Sequence, residues 1–330
     1  MNVAVVILNW NGEKLLQQFL PSVVKYSKEA TVYVADNAST DNSISFISEN
    51  FPTVKIIQNQ SNGGYAKGYN DALETLSEDI FVLLNSDVEV AENWLPPVLL
   101  EFKNDAKLVA AQPKILDYNK KDHFEYAGAA GGFIDRYGYP FCRGRIFDTL
   151  EKDQGQFDDV KEIFWATGAC LFIRKSAFQE VDGFDEDFFA HQEEIDLCWR
   201  LLSNGGTIKY VGMSSIFHVG GATLGAANPK KTFYNFRNTL FVLLKNVRGV
   251  KLWLIIFIRL LLDGLAGIQF LLQGKPKHMI AIVQAHFSFY KLFDKMFKKR
   301  QLKTIVFDYN FVNSIVWDYF FLKKKTFKDL

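Results

Sequence analysis

Cysteine is nearly missing from this chain. There are three among 330 residues, Cys142, Cys170 and Cys198. Their wide separation gives no paired spacing for a zinc site or a disulfide framework, so a reducing compartment is the simplest expectation. Charge of one sign is missing too. Lys and Arg number 38 against 37 Asp and Glu, a net of +1, which excludes binding to nucleic acid driven by a global field. Neither a GxGxxG fingerprint nor a Walker sequence occurs, so a phosphate is not held by either of those glycine-rich devices. No signal peptide is expected, because the first apolar run, NVAVVIL, is short and meets Asn9-Trp10-Asn11-Gly12 directly.

Apolar residues are plentiful. They make up 48% of the chain against 23% charged, enough for a sizeable core and too many for disorder. The length suits one large or two ordinary domains. Phe is frequent, with 31 copies, and many fall in the last hundred residues, where the composition changes.

The first half alternates in period. Val3 to Leu8, Thr31 to Ala35 and Val54 to Gln58 read as strands. Glu13 to Tyr26, a segment entered at Thr40 or Asp41 and running to about Asn50, and Tyr65 to Leu76 read as helices. Such alternation implies a parallel sheet with right-handed crossovers. The next apolar run, IFVLLN, breaks at Asn85-Ser86-Asp87. A buried central strand ending this way delivers a carboxylate to its C-terminal edge, where open α/β sheets bind ligands. Asp87 is therefore a candidate metal or phosphate-side ligand, although the triplet also reads as ordinary turn chemistry. Polar clusters at Asn9 to Asn11, Asp36 to Ser39 and Asn85 to Asp87 end successive strands and are expected to share one crevice. Asn62-Gly63-Gly64 opens a helix and can bring backbone N–H groups to a ligand.

Leu108 to Gln112 reads as a further strand. Residues 117–160 read as a loop-rich excursion over the sheet edge. Downstream, Glu193, Glu194 and Asp196 crowd the first turns of a helix. That pattern suits a tuned general base, or simply favourable partners for the helix dipole. His218 follows an apolar run and His191 lies near the acid pair. Trp165 reads equally as an aromatic sugar platform or as core.

Taken together, VVILNWNG, VADNASTDNS, NQSNGGYAKGYNDAL, LLNSDVEV, GACLFIRKSAF, GFDEDFFAHQEEIDLCWRL and SSIFHVGG resemble the family 2 glycosyltransferases and, within them, the rhamnosyltransferase-like branch. The resemblance covers residues 1 to about 240. It implies the GT-A fold, an α/β doubly wound, mostly parallel sheet. It also implies a nucleotide-diphosphate sugar donor, a divalent metal (Mn²⁺ or Mg²⁺) and an inverting displacement. By the same resemblance Asp36 would bond the nucleobase, Asn9 would face the nucleotide, and Asn62, Gly63, Gly64 and Asn70 would lie under the ribose and phosphates. Asp87 would bind the metal with His218. Asn85 stands where many relatives carry an aspartate, which points it at sugar or ribose hydroxyls. Glu193-Glu194 matches the family's Glu-Asp pair, whose second member is the base. The chemistry wants these types: a cation neutralises the departing diphosphate, and a carboxylate removes the acceptor's proton.

Residues 241–330 form a separate helical region on this reading, membrane-associating or dimerising. Val250 to Leu272 has the length of a span. Lys251, Arg259 and Asp263 would each cost ~2.5–3.5 kcal/mol at a bilayer centre, and flanking basic residues suit a helix lying in an anionic interface. The expected enzyme is cytoplasmic and peripheral to the inner face of the cell membrane. It would serve a glycan or lipid-linked acceptor in cell-surface polysaccharide synthesis. A non-catalytic assembly partner and a nucleotidyltransferase on a related fold are the alternatives.

Overall fold

The computed structural model describes residues 1–220, 228–300 and 307–330. Gly221, the last residue of the SSIFHVGG stretch, lies outside them.

Near-continuous apolar runs make the centre of the sheet. β1 (Val3–Asn9), β2 (Thr31–Asp36) and β4 (Ile80–Asn85) are buried along almost their whole length, as strands covered on both faces require. β3 (Lys55–Gln58) is the more exposed edge. The crossovers are α1 (Glu13–Tyr26), α2 (Ser43–Asn50) and α3 (Gly64–Glu74). β1 pairs in parallel with β2 and β4, and β3 extends β2.

Next come β5 (Val88–Val90), α4 (Leu95–Asn104), β6 (Leu108–Asp117), β7 (Gly132–Ile134), β8 (Pro140–Cys142), β9 (Arg145–Ile146), β10 (Thr149–Leu150) and β11 (Val160–Glu162). The remaining elements are β12 (Cys170–Arg174), α5 (Lys175–Glu180), α6 (Glu193–Ser203), β13 (Thr207–His218), α7 (Pro229–Asn246), α8 (Lys251–Leu272), α9 (Pro276–Lys298) and α10 (Ile315–Phe320). The main sheet runs β11-β13-β6-β12-β4-β1-β2-β3, with β5 on β13. Only β5, β11 and β12 run against the rest. One face is filled from α1, α2 and α4, by Leu16, Leu20, Ile47, Val98 and Phe102. The other is filled from α3, α6, α7 and α9, by Tyr69, Leu197, Leu243 and Phe289. The expected doubly wound sheet is what forms.

Two readings of the second half change: the extent of β6 and the nature of residues 117–160. β6 continues to Asp117, paired with β13, which carries a register shift between Val211 and Ser215. Pro113 faces that shift; it has no N–H to donate, so an irregularity is placed where a ladder bond is impossible. The 117–160 excursion is not all loop. β7 to β10 form a second, four-stranded antiparallel sheet, and Phe124, Phe133, Phe141 and Ile146 are buried in the core. Strands of two or three residues, turning at Gly138 and Gly144 with positive φ, are too short to show a period of two.

The division at residue 240 falls inside α7. α8 is arranged inside out. Arg259 and Asp263 are buried and paired at 2.7 Å, and Arg259 also donates to the Tyr137 carbonyl at 3.0 Å. Leu254, Phe257, Leu261, Leu265 and Ile268 on its other side are more than half exposed, as are Ile280, Phe287 and Tyr290 on α9. By length and composition α8 is able to cross a membrane.

Candidate active site

The ends of β1 and β2 lie side by side, Asn9 opposite Asp36. Asn9 Nδ2 donates to Asp36 Oδ1 at 3.0 Å and to Ser39 Oγ at 3.2 Å, while the Ser39 amide donates to Asp36 Oδ2 at 2.9 Å. Both side chains are buried, and Asn9 Oδ1 has no partner. Gly12 is required there, because a Cβ would come within 2.4 Å of that oxygen.

A second polar chain fastens the glycine turn to the sheet. Asn59 Nδ2 donates to Asn37 Oδ1 at 2.7 Å and to the Gly68 carbonyl at 3.0 Å, and Asn37 Nδ2 donates to the Gly64 carbonyl at 3.1 Å. Asn62 Oδ1 accepts from the Gly64 amide at 3.0 Å. Gly63 precedes α3 as its N-cap and Gly64 has φ +81°. Asn70 is used inside the protein: its Nδ2 donates to the Phe184 carbonyl at 2.9 Å and its Oδ1 accepts from the Phe184 amide at 3.0 Å. It therefore holds the turn that leads toward the acid pair. Trp165 is buried against Gly132, and its Nε1 donates to the Phe133 carbonyl at 2.9 Å. The structure places its indole in the core, not in the crevice; the backbone at Gly132 leaves room for the ring and supplies no sugar face.

Asp87 sits between β4 and β5, and β5 pairs with the end of β13, Val88 opposite His218. This brings His218 Nε2 to 3.2 Å from Asp87 Oδ1 and, more loosely, to 3.5 Å from Asn85 Nδ2. The other ring nitrogen, Nδ1, lies 3.4 Å from Glu125 Oε2. All of Asp87, Glu125 and His218 are buried. Burial alone would lower the His218 pKa. The hydrogen bonds and charges of Asp87 and Glu125 outweigh it and raise the value to about 10.

This set suits a hard divalent cation, which would take the place of the proton that His218 Nε2 shares with Asp87, since an imidazole binds metal only when neutral. Neighbouring ligands of an octahedral ion bonded at ~2.1 Å stand about 3 Å apart, close to the 3.2 Å between Asp87 Oδ1 and His218 Nε2. Glu125 occupies the place of the outer carboxylate that orients a metal-binding imidazole. Among the described residues no three His, Cys, Asp or Glu side chains are arranged to hold an ion. Two protein ligands, completed by phosphate oxygens and water, match how Mg²⁺ and Mn²⁺ are bound beside nucleotides.

The acid pair opens α6. Glu193 is buried, and its Oε2 has no hydrogen-bond partner. Burial, and then the charge of Glu194, push its pKa well up. Burial raises Glu194 to about 7. Asp196 behaves in the opposite way despite its burial, because Lys245 and Arg200 pair with it at 2.8 Å and hold its pKa far down. Asp196 is thus a structural anchor. His191 is pushed down to about 4 by burial and then by the charge of Lys231, so its imidazole is neutral at working pH.

Residues 166–169 connect these pieces. The Ala166 amide donates to Cys198 Sγ on α6 at 3.4 Å, the Gly168 carbonyl accepts from Tyr65 Oη on α3 at 2.8 Å, and the Ala169 carbonyl accepts from the Asn85 amide at 3.0 Å. Tyr65 feels the charges of both Glu193 and Glu194. Lys231 acts on His191 and is itself acted on by Glu125. The acid pair, the glycine turn and the β4 end therefore share one wall.

Sequence reasoning missed Asn37, Asn59, Glu125 and Lys231. The two asparagines stood within quoted motifs, one residue beyond a strand end each. Glu125 had no local signal. It reaches His218 only because its amide donates to the Ile115 carbonyl at 3.0 Å, on the strand next to β13.

A profile described as glycosyl transferase family 2 matches residues 4–182, more than half of the chain. An N-acetylglucosaminyl-diphospho-decaprenol L-rhamnosyltransferase of Mycobacterium tuberculosis (strain ATCC 25618 / H37Rv) is 27% identical over 233 residues, 65% of this chain and 75% of that relative. Among solved structures, S. aureus TarS 1-349 in complex with UDP-GlcNAc aligns with a TM-score of 0.56 at 15% identity, over 93% of this chain and 94% of that one. Mannosyltransferase PcManGT from Pyrobaculum calidifontis, in complex with GDP-Man and Mn²⁺, aligns with a TM-score of 0.53 at 13% identity, over 91% and 84%. At such identities the structural likeness carries the fold alone.

Proposed function

The chain belongs to glycosyl transferase family 2, and from that premise we propose that it is an inverting, metal-dependent enzyme. It moves a sugar from a nucleotide diphosphate to a lipid-linked or glycan acceptor in cell-surface polysaccharide synthesis. The observation that carries this reading is the Asp87–His218 pair, with Glu125 behind the imidazole. Asp87 and His218 would hold Mn²⁺ or Mg²⁺. When bound, the ion supplies Lewis-acid stabilisation of the diphosphate's growing charge.

The chain's own residues divide the remaining work. Asp36, Asn9 and the Asn62–Gly64 turn bind nucleobase, ribose and phosphates, and Asn85 faces sugar or ribose hydroxyls. Lys231 lends positive charge to the same crevice. Glu194, the less buried member of the pair, accepts the proton of the attacking acceptor hydroxyl. Its raised pKa makes it a stronger base than an ordinary carboxylate. The acceptor oxygen forms a bond to the anomeric carbon as the bond to the diphosphate breaks on the other side, which inverts configuration. Glu193, held protonated, keeps the second negative charge away from its neighbour.

The apolar faces of α8 and α9 support a peripheral seat on a membrane. The basic residues Lys251, Lys275 and Lys277 lie at the ends of these helices, where anionic headgroups would be met. Such a seat matches a polyprenyl-linked acceptor like that in the name of the mycobacterial relative.

The test is release of nucleoside diphosphate from a panel of nucleotide sugars, L-rhamnosyl donors included, with Mn²⁺ and with chelator. Metal-dependent turnover that is lost in Asp87→Ala is the expected result. No turnover with any donor, together with unchanged nucleotide binding in Asp87→Ala, would favour a non-catalytic assembly partner.

A further inference from the structure

The loop that leads into the acid pair carries unusual backbone. Phe189, His191 and Gln192 have φ of 63°, 68° and 73°. Non-glycine residues in that region are strained and persist only where the surroundings over-determine them. Much of what holds them comes from α7. The Asn238 side chain is fully buried, and its Nδ2 donates to the carbonyls of Phe188 at 3.0 Å, Ala190 at 2.9 Å and His191 at 2.7 Å. Its Oδ1 accepts from Arg237 Nε at 2.8 Å, which turns the amide so that both N–H groups face the loop. The same guanidinium donates to the Asp187 and Phe188 carbonyls at 3.1 Å each.

The loop is gripped on its other side by the glycine turn. The Phe189 carbonyl accepts from the Tyr65 amide at 3.2 Å, and a Cβ on Gly64 would come within 2.6 Å of that carbonyl. Residues 188–192 are thus clamped between the donor-binding turn and α7, directly before Glu193.

We propose that Asn238, oriented by Arg237, is a positioning residue for the glycosyl-transfer step: it fixes loop 188–192 so that the acid pair is presented to the acceptor hydroxyl. The inference rests on the acid pair serving as base, and it extends that reading to α7, where no motif of the first half reaches. A carboxamide is required at this position. Aspartate would place a charged acceptor against three carbonyls, and leucine would take away the donor to the Ala190 and His191 carbonyls, while Phe188 would keep its bond from Arg237.

The test uses the full-length Asn238→Ala and Arg237→Lys variants. Hydrogen exchange should speed up in the peptides covering 186–196 and remain as in wild type elsewhere. A displacement of the base by an ångström costs about 10²-fold, so kcat should fall by about that factor in Asn238→Ala while donor KM stays close to wild type. The acid limb of kcat should also move below its wild-type position near 7, toward the ordinary carboxylate value of about 4.3, as water reaches Glu194. Tyr65 and Cys198 also face the pair, and both titrate above the range of this limb. Arg237→Lys should show the same shifts in smaller size, and it carries the test if Asn238→Ala does not fold. Unchanged exchange at 186–196, or exchange rising evenly over the whole chain with loss of nucleotide binding, overturns the proposal. Loop loosening in Asn238→Ala alongside full activity of Glu193→Gln and Glu194→Gln would instead remove the base assignment and leave the clamp standing.

Discussion

His218 Nε2 lies 3.2 Å from Asp87 Oδ1. The two meet because β5, directly after Asp87, pairs with the last residues of β13. A strand of three residues thus joins the end of one βα unit to the far side of the sheet, and a carboxylate and an imidazole become neighbours across it.

Removing either partner should remove metal binding before it removes the fold. Asp87→Asn and His218→Ala are expected to weaken Mn²⁺ binding, read by electron paramagnetic resonance titration in the presence of nucleoside diphosphate. Cooperative thermal unfolding should be retained. Undiminished Mn²⁺ affinity in both would remove these residues from the ligand set.

Glu125→Gln tests the orienting carboxylate. Loss of an outer-shell partner costs about 10–100-fold in metal affinity. The same titration should show that loss while nucleotide binding in the absence of metal is unchanged. An unaffected affinity would make Glu125 only a buried counter-charge.

For the acid pair the sign of the pH effect is fixed by burial. As the proposed base, Glu194 must be deprotonated to act, and its pKa is raised to about 7, so kcat should climb with pH to about 7 and level off above. Glu194→Gln should lower kcat by about 10²–10⁴-fold with donor binding retained. The folded state holds this proton more tightly than the unfolded chain. Stability therefore declines as pH rises from the ordinary carboxylate range through about 7. Glu194→Gln should accordingly gain in Tm above that window and gain nothing below it. A flat pH profile below 7 together with a fully active Glu194→Gln would transfer the role to Glu193 or elsewhere.

Much of this was legible in the residues. Apolar runs closed by Asn9, Asp36 and Asp87 announced the parallel strands and the edge where ligands gather, since fully buried strands need such runs. Three features were hidden. The short strands β7 to β10 lack the length to show a period. Glu125 joins the site through a tertiary contact alone. Trp165 looked the same whether core or platform, because an aromatic beside a glycine turn serves both. Arg259 and Asp263 made α8 look unfit for lipid, yet their pairing on the inner side leaves the outer side apolar.

That inversion gives a further expectation. Phe257→Asp and Leu261→Asp, on the outer side of α8, should reduce co-sedimentation with anionic vesicles and spare turnover on a soluble acceptor analogue. Arg259→Leu should destabilise the protein, by less than the about 3–5 kcal/mol of a fully stranded buried charge, because Asp263 would keep His286 Nε2 at 3.2 Å; the readout is a drop in Tm. Vesicle binding unaltered by both outer substitutions would remove the outer side of α8 as a membrane-contacting face.

Gly64→Ala tests the joint between donor turn and base loop. A Cβ there meets the Phe189 carbonyl at 2.6 Å, on a backbone with φ +81°. Donor KM should rise and kcat fall together, because the substitution pushes on both loops. A change in KM alone would separate the turn from the base.

The most direct measurement of the central claim is an anomalous difference map from crystals grown with Mn²⁺ and a nucleoside diphosphate. The expected peak lies within bonding distance of Asp87 Oδ1 and His218 Nε2, with phosphate oxygens on its open side and the Glu193–Glu194 carboxyls across the same crevice. A manganese peak held by other residues, or an acid pair facing a separate part of the molecule, would contradict the account.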